Sequence, residues 1–283
     1  MSDATPLQRP LVMGIINVTP DSFSGDGVLQ NNDYAAHALA QAEQMVNDGT
    51  DILDIGGESS RPGSVPVSAE EEIRRVVPLV AAIKQKLGNV VIAIDTVKAS
   101  VAEQALQAGA TIINDISALG DPAMGAIVAN HKAKIVLMHN RSEASAVSRD
   151  AIIGGQYDAP DYAYIVDDVA RELAGRVRAA QNVGITDDKI ILDPGIGFGK
   201  TPQQNIALIA QLGRIVALGF PVLMGVSRKS FIGHVLGTTV DDRLEGTAAC
   251  VTACVLRGAH IIRVHDIKFM ARVVKMAAAL RDA

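Results

Sequence analysis

Short apolar runs recur along the chain, each followed by a stretch in which apolar residues return every three or four positions. The runs are Leu11–Val18, Ile52–Gly56, Val90–Asp95, Ile112–Ile116, Ile135–His139, Ile190–Asp193, Val222–Val226 and Ile261–His265, eight in all. Each is short, apolar and rich in β-branched residues, and reads as a buried strand. In the first intervening segment, Tyr34–Asp48, the residues Ala38, Leu39, Ala42, Met45 and Val46 share one face of a helix. The same spacing predicts helices over Ala69–Leu87, Lys98–Ala108, Ala123–His131, Asp161–Val183, Pro202–Leu218, Asp242–Arg257 and Ile267–Arg281. A weak repeat supports the alternation: Asp48-Gly49-Thr50-Asp51-Ile52-Leu53, Ala108-Gly109-Ala110-Thr111-Ile112-Ile113 and Arg257-Gly258-Ala259-His260-Ile261-Ile262 each place a helix-ending glycine directly before a strand. Eight alternating β/α units require a parallel sheet, and eight parallel strands close into a barrel. The predicted fold is α/β, a single-domain (β/α)8 TIM barrel over residues 11–283, with residues 1–10 a disordered N-terminal extension. An open doubly wound sheet is the alternative.

The connections are asymmetric. Helix-to-strand turns are short, as at Gly88-Asn89, whereas the strand-to-helix segments Thr19–Asp33, Gly57–Ser68 and Asn140–Pro160 are long. In a barrel those loops form the face that carries the chemistry. The first two are rich in Gly, Pro, Ser and Asp, which suits mobile lids. The strand ends agree: Asn17, Gly56-Gly57-Glu58, Asp95, Asn114-Asp115, His139, Asp193, Ser227 and Arg263 with His265 follow apolar runs. A single polar tip is an ordinary turn or cap, but polar tips on strand after strand point to one pocket. Alternation puts Asn17 on the face of Ile15, Asp95 with Ala93, and Arg263 and His265 with Ile261. Asp54 lies mid-strand, where a buried acid needs a partner such as a lysine or an amide.

The stretch Ile190–Thr201 is the most specific. It is a strand ending at Asp193, followed by Pro194-Gly195-Ile196-Gly197-Phe198-Gly199-Lys200-Thr201. Pro194 stands where a Walker A loop needs its first glycine, and Lys200 where a G-x-G-x-x-G turn needs its last. Neither nucleotide motif fits. What remains is a carboxylate at a strand tip beside a loop that can approach a flat ligand. Asp193, Asp95 and Asn114 suit the ring NH and exocyclic NH2 of an aminated heterocycle. Ser227-Arg228-Lys229-Ser230 and Arg263-Val264-His265 supply donors for phosphate oxygens, and the Asn17 amide could give one ligand to Mg2+. His260 starts its strand, at the opposite end from the mouth.

Composition narrows the classes. With 283 residues, 48% hydrophobic and 20% charged, the chain supports a sizeable core. The net charge of −5, the lack of basic clusters and 3% aromatic residues argue against a nucleic-acid partner. No apolar run reaches the roughly 18 residues of a membrane span. Met1–Pro10 is polar and lacks a signal-peptide apolar stretch, so the expected location is the cytoplasm. Cys250 and Cys254 are four apart in a helical pattern and read as core residues.

Several motifs resemble one family. Met13-Gly14-Ile15-Ile16-Asn17-Val18-Thr19-Pro20-Asp21-Ser22-Phe23-Ser24 is similar to the first loop of dihydropteroate synthases, and Gly56-Gly57-Glu58-Ser59-Ser60-Arg61-Pro62-Gly63 to their second. Ile113-Asn114-Asp115-Ile116, Leu192-Asp193-Pro194-Gly195, Ser227-Arg228-Lys229-Ser230 and Ile262-Arg263-Val264-His265-Asp266 resemble further motifs in the same order, so the resemblance runs from about Val12 to Asp266. It implies condensation of 6-hydroxymethyl-7,8-dihydropterin diphosphate with p-aminobenzoate, with loss of pyrophosphate and Mg2+ as cofactor. By matched position, Asp95, Asn114, Ile116, Met138, Asp193, Phe198, Lys229 and Arg263 would hold the pterin. Phe23, Ser60, Pro62, Ser227 and Lys229 would line the p-aminobenzoate site. Asn17, Arg61, Arg263 and His265 would bind pyrophosphate, Asn17 also the metal. Asp95, Lys229, Arg263 and Asn17 would carry the catalysis. The resemblance further implies sulfonamide inhibition and a homodimer through the late helices. Two departures stand out: Ser60 replaces a common threonine, and Ser24-Gly25-Asp26-Gly27 replaces a commoner Ser-Asp-Gly-Gly. A pterin-barrel methyltransferase and a catalytically idle pterin-binding paralogue remain alternatives.

Overall fold

The computed structural model describes residues 9–18, 31–60, 63–143, 147–150 and 152–283. Eight parallel strands form one sheet: β1 (Leu11–Asn17), β2 (Ile52–Gly56), β3 (Val91–Asp95), β4 (Ile112–Asp115), β5 (Lys134–Met138), β8 (Ile190–Asp193), β9 (Leu223–Met224) and β10 (Ile261–Val264). Each pairs with its neighbour in the chain, β1 pairs with β10, and a bridge between Leu192 and Val222 joins β8 to β9. That bridge closes the barrel and excludes the open doubly wound sheet.

Helices follow the strands as the apolar spacing predicts, with three refinements. The predicted Pro202–Leu218 helix is two, Pro202–Ala210 and Gly213–Val216. A helix over Ser230–Leu236, preceded by Lys229, occupies a stretch too short for periodicity to mark. The long loop after β5 contains an antiparallel hairpin, β6 (Val147–Asp150) and β7 (Gly154–Tyr157), whose four-residue strands carry too little alternation to read. Residues 1–8 lie outside the described set. Arg9 leads into β1 and is held to Asp51 by paired hydrogen bonds of 2.8 and 2.7 Å. Cys254 is buried, Cys250 is half-buried, and both are free thiols.

The interior explains the placement of the site. One inward residue from each barrel strand, Met13, Ile52, Ala93, Ile112, Val136, Ile191, Leu223 and Ile261, forms a closed apolar plug. Side chains alternate along a strand, so the next inward positions toward the C-terminal end are Ile15, Asp54, Asp95, Asn114, Met138, Asp193, Gly225 and Arg263. Five of these eight, Asp54, Asp95, Asn114, Asp193 and Arg263, are polar where the first layer is wholly apolar, and this second layer forms the floor of the mouth.

Candidate active site

The floor is organised around Arg263. Its Nε donates to Asp54 Oδ2 at 2.6 Å and its Nη2 to Asp95 Oδ2 at 2.7 Å. Asp54, whose role the sequence left open, is fully buried and also accepts Asn114 Nδ2 at 3.1 Å. A carboxylate can only accept, so this bond fixes the Asn114 amide with its nitrogen toward Asp54 and its oxygen left as an acceptor. Asp54 is thus the positioning acid that the motif comparison omits, and its even spacing from Ile52 was the available signal.

These charges perturb one another. Burial pushes the Asp95 carboxyl up, to about 7, against the pull of Arg263 and with the help of Asp54. Burial opposes the charge on Arg263, but Asp54 and Asp95 outweigh it and hold the guanidinium above its ordinary value. Asp193 is raised by burial, partly offset by the Gly195 N–H that it accepts at 2.7 Å. Its Oδ2 has no hydrogen-bond partner among the described residues. Lys229 is pushed down to about 8 by burial and by Arg263, and its Nζ lies 4.3 Å from the centre of the Phe198 ring.

A pocket opens over this floor, lined by Asp95, Asn114, Ile116, Met138, Asp193, Phe198, Lys229 and Arg263, together with Ser60, Ile196 and Gly225. All eight residues assigned to the heterocycle by matched position therefore meet in one cavity. Gly225 accounts for part of the space, since a Cβ built there finds no protein atom within 4 Å. The Asp193 loop needs its glycine for the opposite reason: Gly195 has φ +69° and a Cβ would sit 1.9 Å from the His139 carbonyl oxygen. Lys200, noted in the sequence only for breaking a motif, fixes this loop. It is buried and donates to the carbonyls of Gly195 and Phe198 at 2.9 Å each, and burial lowers it to about 7.

The rim is built from other tips. Ser227 Oγ accepts the His265 backbone N–H at 3.3 Å and lies 3.0 Å from its Nδ1, joining those two residues. Asn17 at the end of β1 has no side-chain hydrogen bond among the described residues. Phe23, Arg61 and Pro62 lie outside the described residues. Some polar tips turn away from the mouth. Asp115 accepts the backbone N–H groups of Ser117 and Leu119. His139 is buried beside Glu172 at 3.1 Å and is pushed down to about 4 by burial. Arg228 pairs with Asp266 through Nε and Nη2, at 3.0 and 2.6 Å.

Known proteins share this architecture and its sequence. The profile of the pterin binding enzyme family matches residues 13–265. Dihydropteroate synthase from Bacillus subtilis is 45% identical over 274 residues, covering 96% of this chain and 89% of that one. The chain belongs to the dihydropteroate synthase family of pterin-binding enzymes. Another family member, from Synechocystis, is 44% identical over 96% of this chain and 91% of its own. Among solved members, the Clostridium difficile dihydropteroate synthase, crystallised in the presence of pteroic acid, superposes with a TM-score of 0.88 at 38% identity over 100% of both chains. The Xanthomonas albilineans synthase with 4-aminobenzoic acid gives 0.87 at 38% identity, over 98% of this chain and 94% of that one. The (β/α)8 fold and the pterin-family resemblance are thus both confirmed.

Proposed function

We propose that the chain joins 6-hydroxymethyl-7,8-dihydropterin diphosphate to p-aminobenzoate, forming 7,8-dihydropteroate and releasing pyrophosphate. Family membership supports the reaction class. The observation that carries the reading is the inward polar layer, in which the acceptors of Asp193 and Asn114 line a pocket beside Lys229 and Arg263.

The Asp193 carboxylate takes the two-donor edge of the pterin, and the oriented Asn114 oxygen takes a further N–H. Met138 and Phe198 lie against the ring, and Ile116 completes the wall. The C–O bond to the diphosphate breaks, and its electron pair leaves with pyrophosphate. Positive charge spreads from the CH2 group into the electron-rich ring, where Asp95 stabilises it. Arg263 uses Nε and Nη2 on the two acids, leaving Nη1 for the leaving group, which Arg61 and His265 also hold. The p-aminobenzoate nitrogen, neutral at pH 7, then attacks the CH2 carbon and loses a proton. Ser60, Pro62, Ser227, Lys229 and Phe23 form its subsite, which sulfonamides would share.

Mg2+ fits the rim. Among the described residues no three acidic, His or Cys side chains form a metal cage. An ion here would take Asn17 Oδ1 as its protein ligand and complete its shell with phosphate oxygens and water. When bound it neutralises charge growing on the leaving group. The chain is expected to act in the cytoplasm as a homodimer; exposed Phe269, Met276 and Leu280 on the last helix support self-association, and among the described residues no helix is long and apolar enough to cross a membrane. The test is pyrophosphate release from the pterin diphosphate with and without p-aminobenzoate, with products identified by mass. Release that requires p-aminobenzoate and yields dihydropteroate is expected. Pterin binding with neither product would overturn the reading.

A further inference from the structure

The hairpin β6–β7 has no part in the reaction as described, yet it ties together the loops that surround the second substrate. Its last residue, Tyr157, makes two contacts across the mouth. The hydroxyl donates to the Ser60 carbonyl at 3.2 Å, and the ring stacks on Phe198 with centroids 5.9 Å apart and planes inclined by 23°. Phe198 in turn carries Lys229 Nζ on its ring at 4.3 Å. One tyrosine therefore touches the loop after β2 and the loop after β8, and acts through Phe198 on the residue that starts the helix after β9.

The other end of the hairpin is fixed with equal care. Arg243, only 2% exposed, donates through Nη2 to the Ile153 carbonyl in the hairpin turn at 2.9 Å and to the Thr238 carbonyl at 3.2 Å. Its Nη1 donates to the Arg228 carbonyl at 3.0 Å, the peptide that leads into Lys229. Among the described residues this guanidinium forms no ion pair within bonding distance; it is spent on backbone carbonyls of three segments. The hairpin is thus a strap anchored at its turn by Arg243 and at its exit by Tyr157.

We infer that Tyr157 is a positioning residue for the p-aminobenzoate subsite, setting the separation of Ser60 from Phe198 and Lys229 through its hydroxyl and its ring. This rests on the function proposed above. The pterin floor is independent of the strap, because Asp54, Asp95, Asn114 and Arg263 hold one another. Phe198 also faces the pterin, so it is the hydroxyl of Tyr157, bonded to Ser60, whose contribution should appear in the second substrate alone.

The test is steady-state kinetics of the full chain, varying each substrate in turn, on the parent, Tyr157→Phe and Tyr157→Ala. Tyr157→Phe keeps the stacked ring and loses one hydrogen bond, so KM for p-aminobenzoate should rise about fivefold, the worth of one such bond. Tyr157→Ala loses the ring as well and should raise it by roughly a further fivefold or more. In Tyr157→Phe, which leaves the ring on Phe198, KM for the pterin diphosphate should stay at the parent value, a split that general loosening of the barrel would not give. In Tyr157→Phe, equal shifts in both KM values, or an unchanged p-aminobenzoate KM, would overturn the inference. If Tyr157→Ala does not fold, Tyr157→Phe still decides. A parent enzyme that makes no dihydropteroate would overturn the proposed function and this inference with it; a working parent with indifferent variants would overturn the inference alone.

Discussion

Replacing Asp54 by alanine tests the logic of the floor most directly. Asp54 Oδ2 accepts both Arg263 Nε at 2.6 Å and Asn114 Nδ2 at 3.1 Å, with the side chain fully removed from water. Its loss strips the half-buried Arg263 guanidinium of one of two anions and leaves the Asn114 amide nitrogen facing a cavity. Breaking a buried ion pair by deleting one partner costs about 3–5 kcal/mol. Asp95 still takes Nη2 at 2.7 Å, so the expected loss is near the lower end, about 3 kcal/mol. The same change frees the Asn114 amide to turn. Losing one correctly presented acceptor is worth about 1.4 kcal/mol, a tenfold loss of pterin affinity. Urea unfolding of the free protein reads the first effect, and calorimetry with a pterin reads the second. A variant within about 1 kcal/mol of the parent would refute the buried-pair reasoning. A loss of about 3 kcal/mol with parent pterin affinity would refute the claim that Asp54 orients Asn114.

Three further outcomes are expected. Asp193→Ala should abolish measurable pterin binding while leaving the barrel folded, because the Asp193 carboxylate is assigned the two-donor edge; parent-like calorimetric affinity would reject that role. Burial lowers His139 from 6.5 to about 4, so on acidification the unfolded chain takes up this proton first. Its contribution is complete above about 6.5 and is lost as pH falls toward about 4, so His139→Gln should flatten the decline of stability across that window; equal slopes in parent and variant would contradict this. Chelation with EDTA should stop turnover, and added Mg2+ should restore it, without moving the urea midpoint of the free protein; turnover indifferent to EDTA would remove Mg2+ from the scheme.

Much of this was legible in the sequence because the barrel repeats one rule eight times. Apolar runs of four to eight residues with glycine-closed helix ends mark the strands, and the polar residue ending each run marks the mouth. Asp95, Asn114, Asp193 and Arg263 were found this way, and all four line one pocket. Period-two alternation also carried Asp54, on the inward face with Ile52, but its Arg263 partner stands 209 positions away and no local pattern announces such a pair. Asp115 shows the reverse failure. It is as polar as Asn114 and adjacent to it, yet it points out of the barrel and serves a turn. Tyr157, Arg243 and Lys200 were hidden because each acts on backbone carbonyls, which every residue has and no sequence motif records.

The electrostatics of the floor also order the two halves of the first substrate. Asp54, Asp95 and Asp193 face Arg263 and Lys229, so acids outnumber bases in the inward layer, and burial, with Asp54 adding to it, raises the Asp95 carboxyl. A second anion brought into this layer would meet that excess in a poorly screened interior. A neutral ring with N–H donors relieves it instead, since each donor satisfies an acceptor without adding charge. In the proposed reaction the diphosphate is therefore expected at the rim, where Asn17, Ser227 and His265 stand and where Arg263, its other nitrogens committed to Asp54 and Asp95, would offer Nη1. Departure of the pyrophosphate leaves a cation beside those same acids, at the place where surplus negative charge was costly before the reaction and stabilising during it. The surplus that disfavours an anionic ground state in the floor is the feature that favours the transition state.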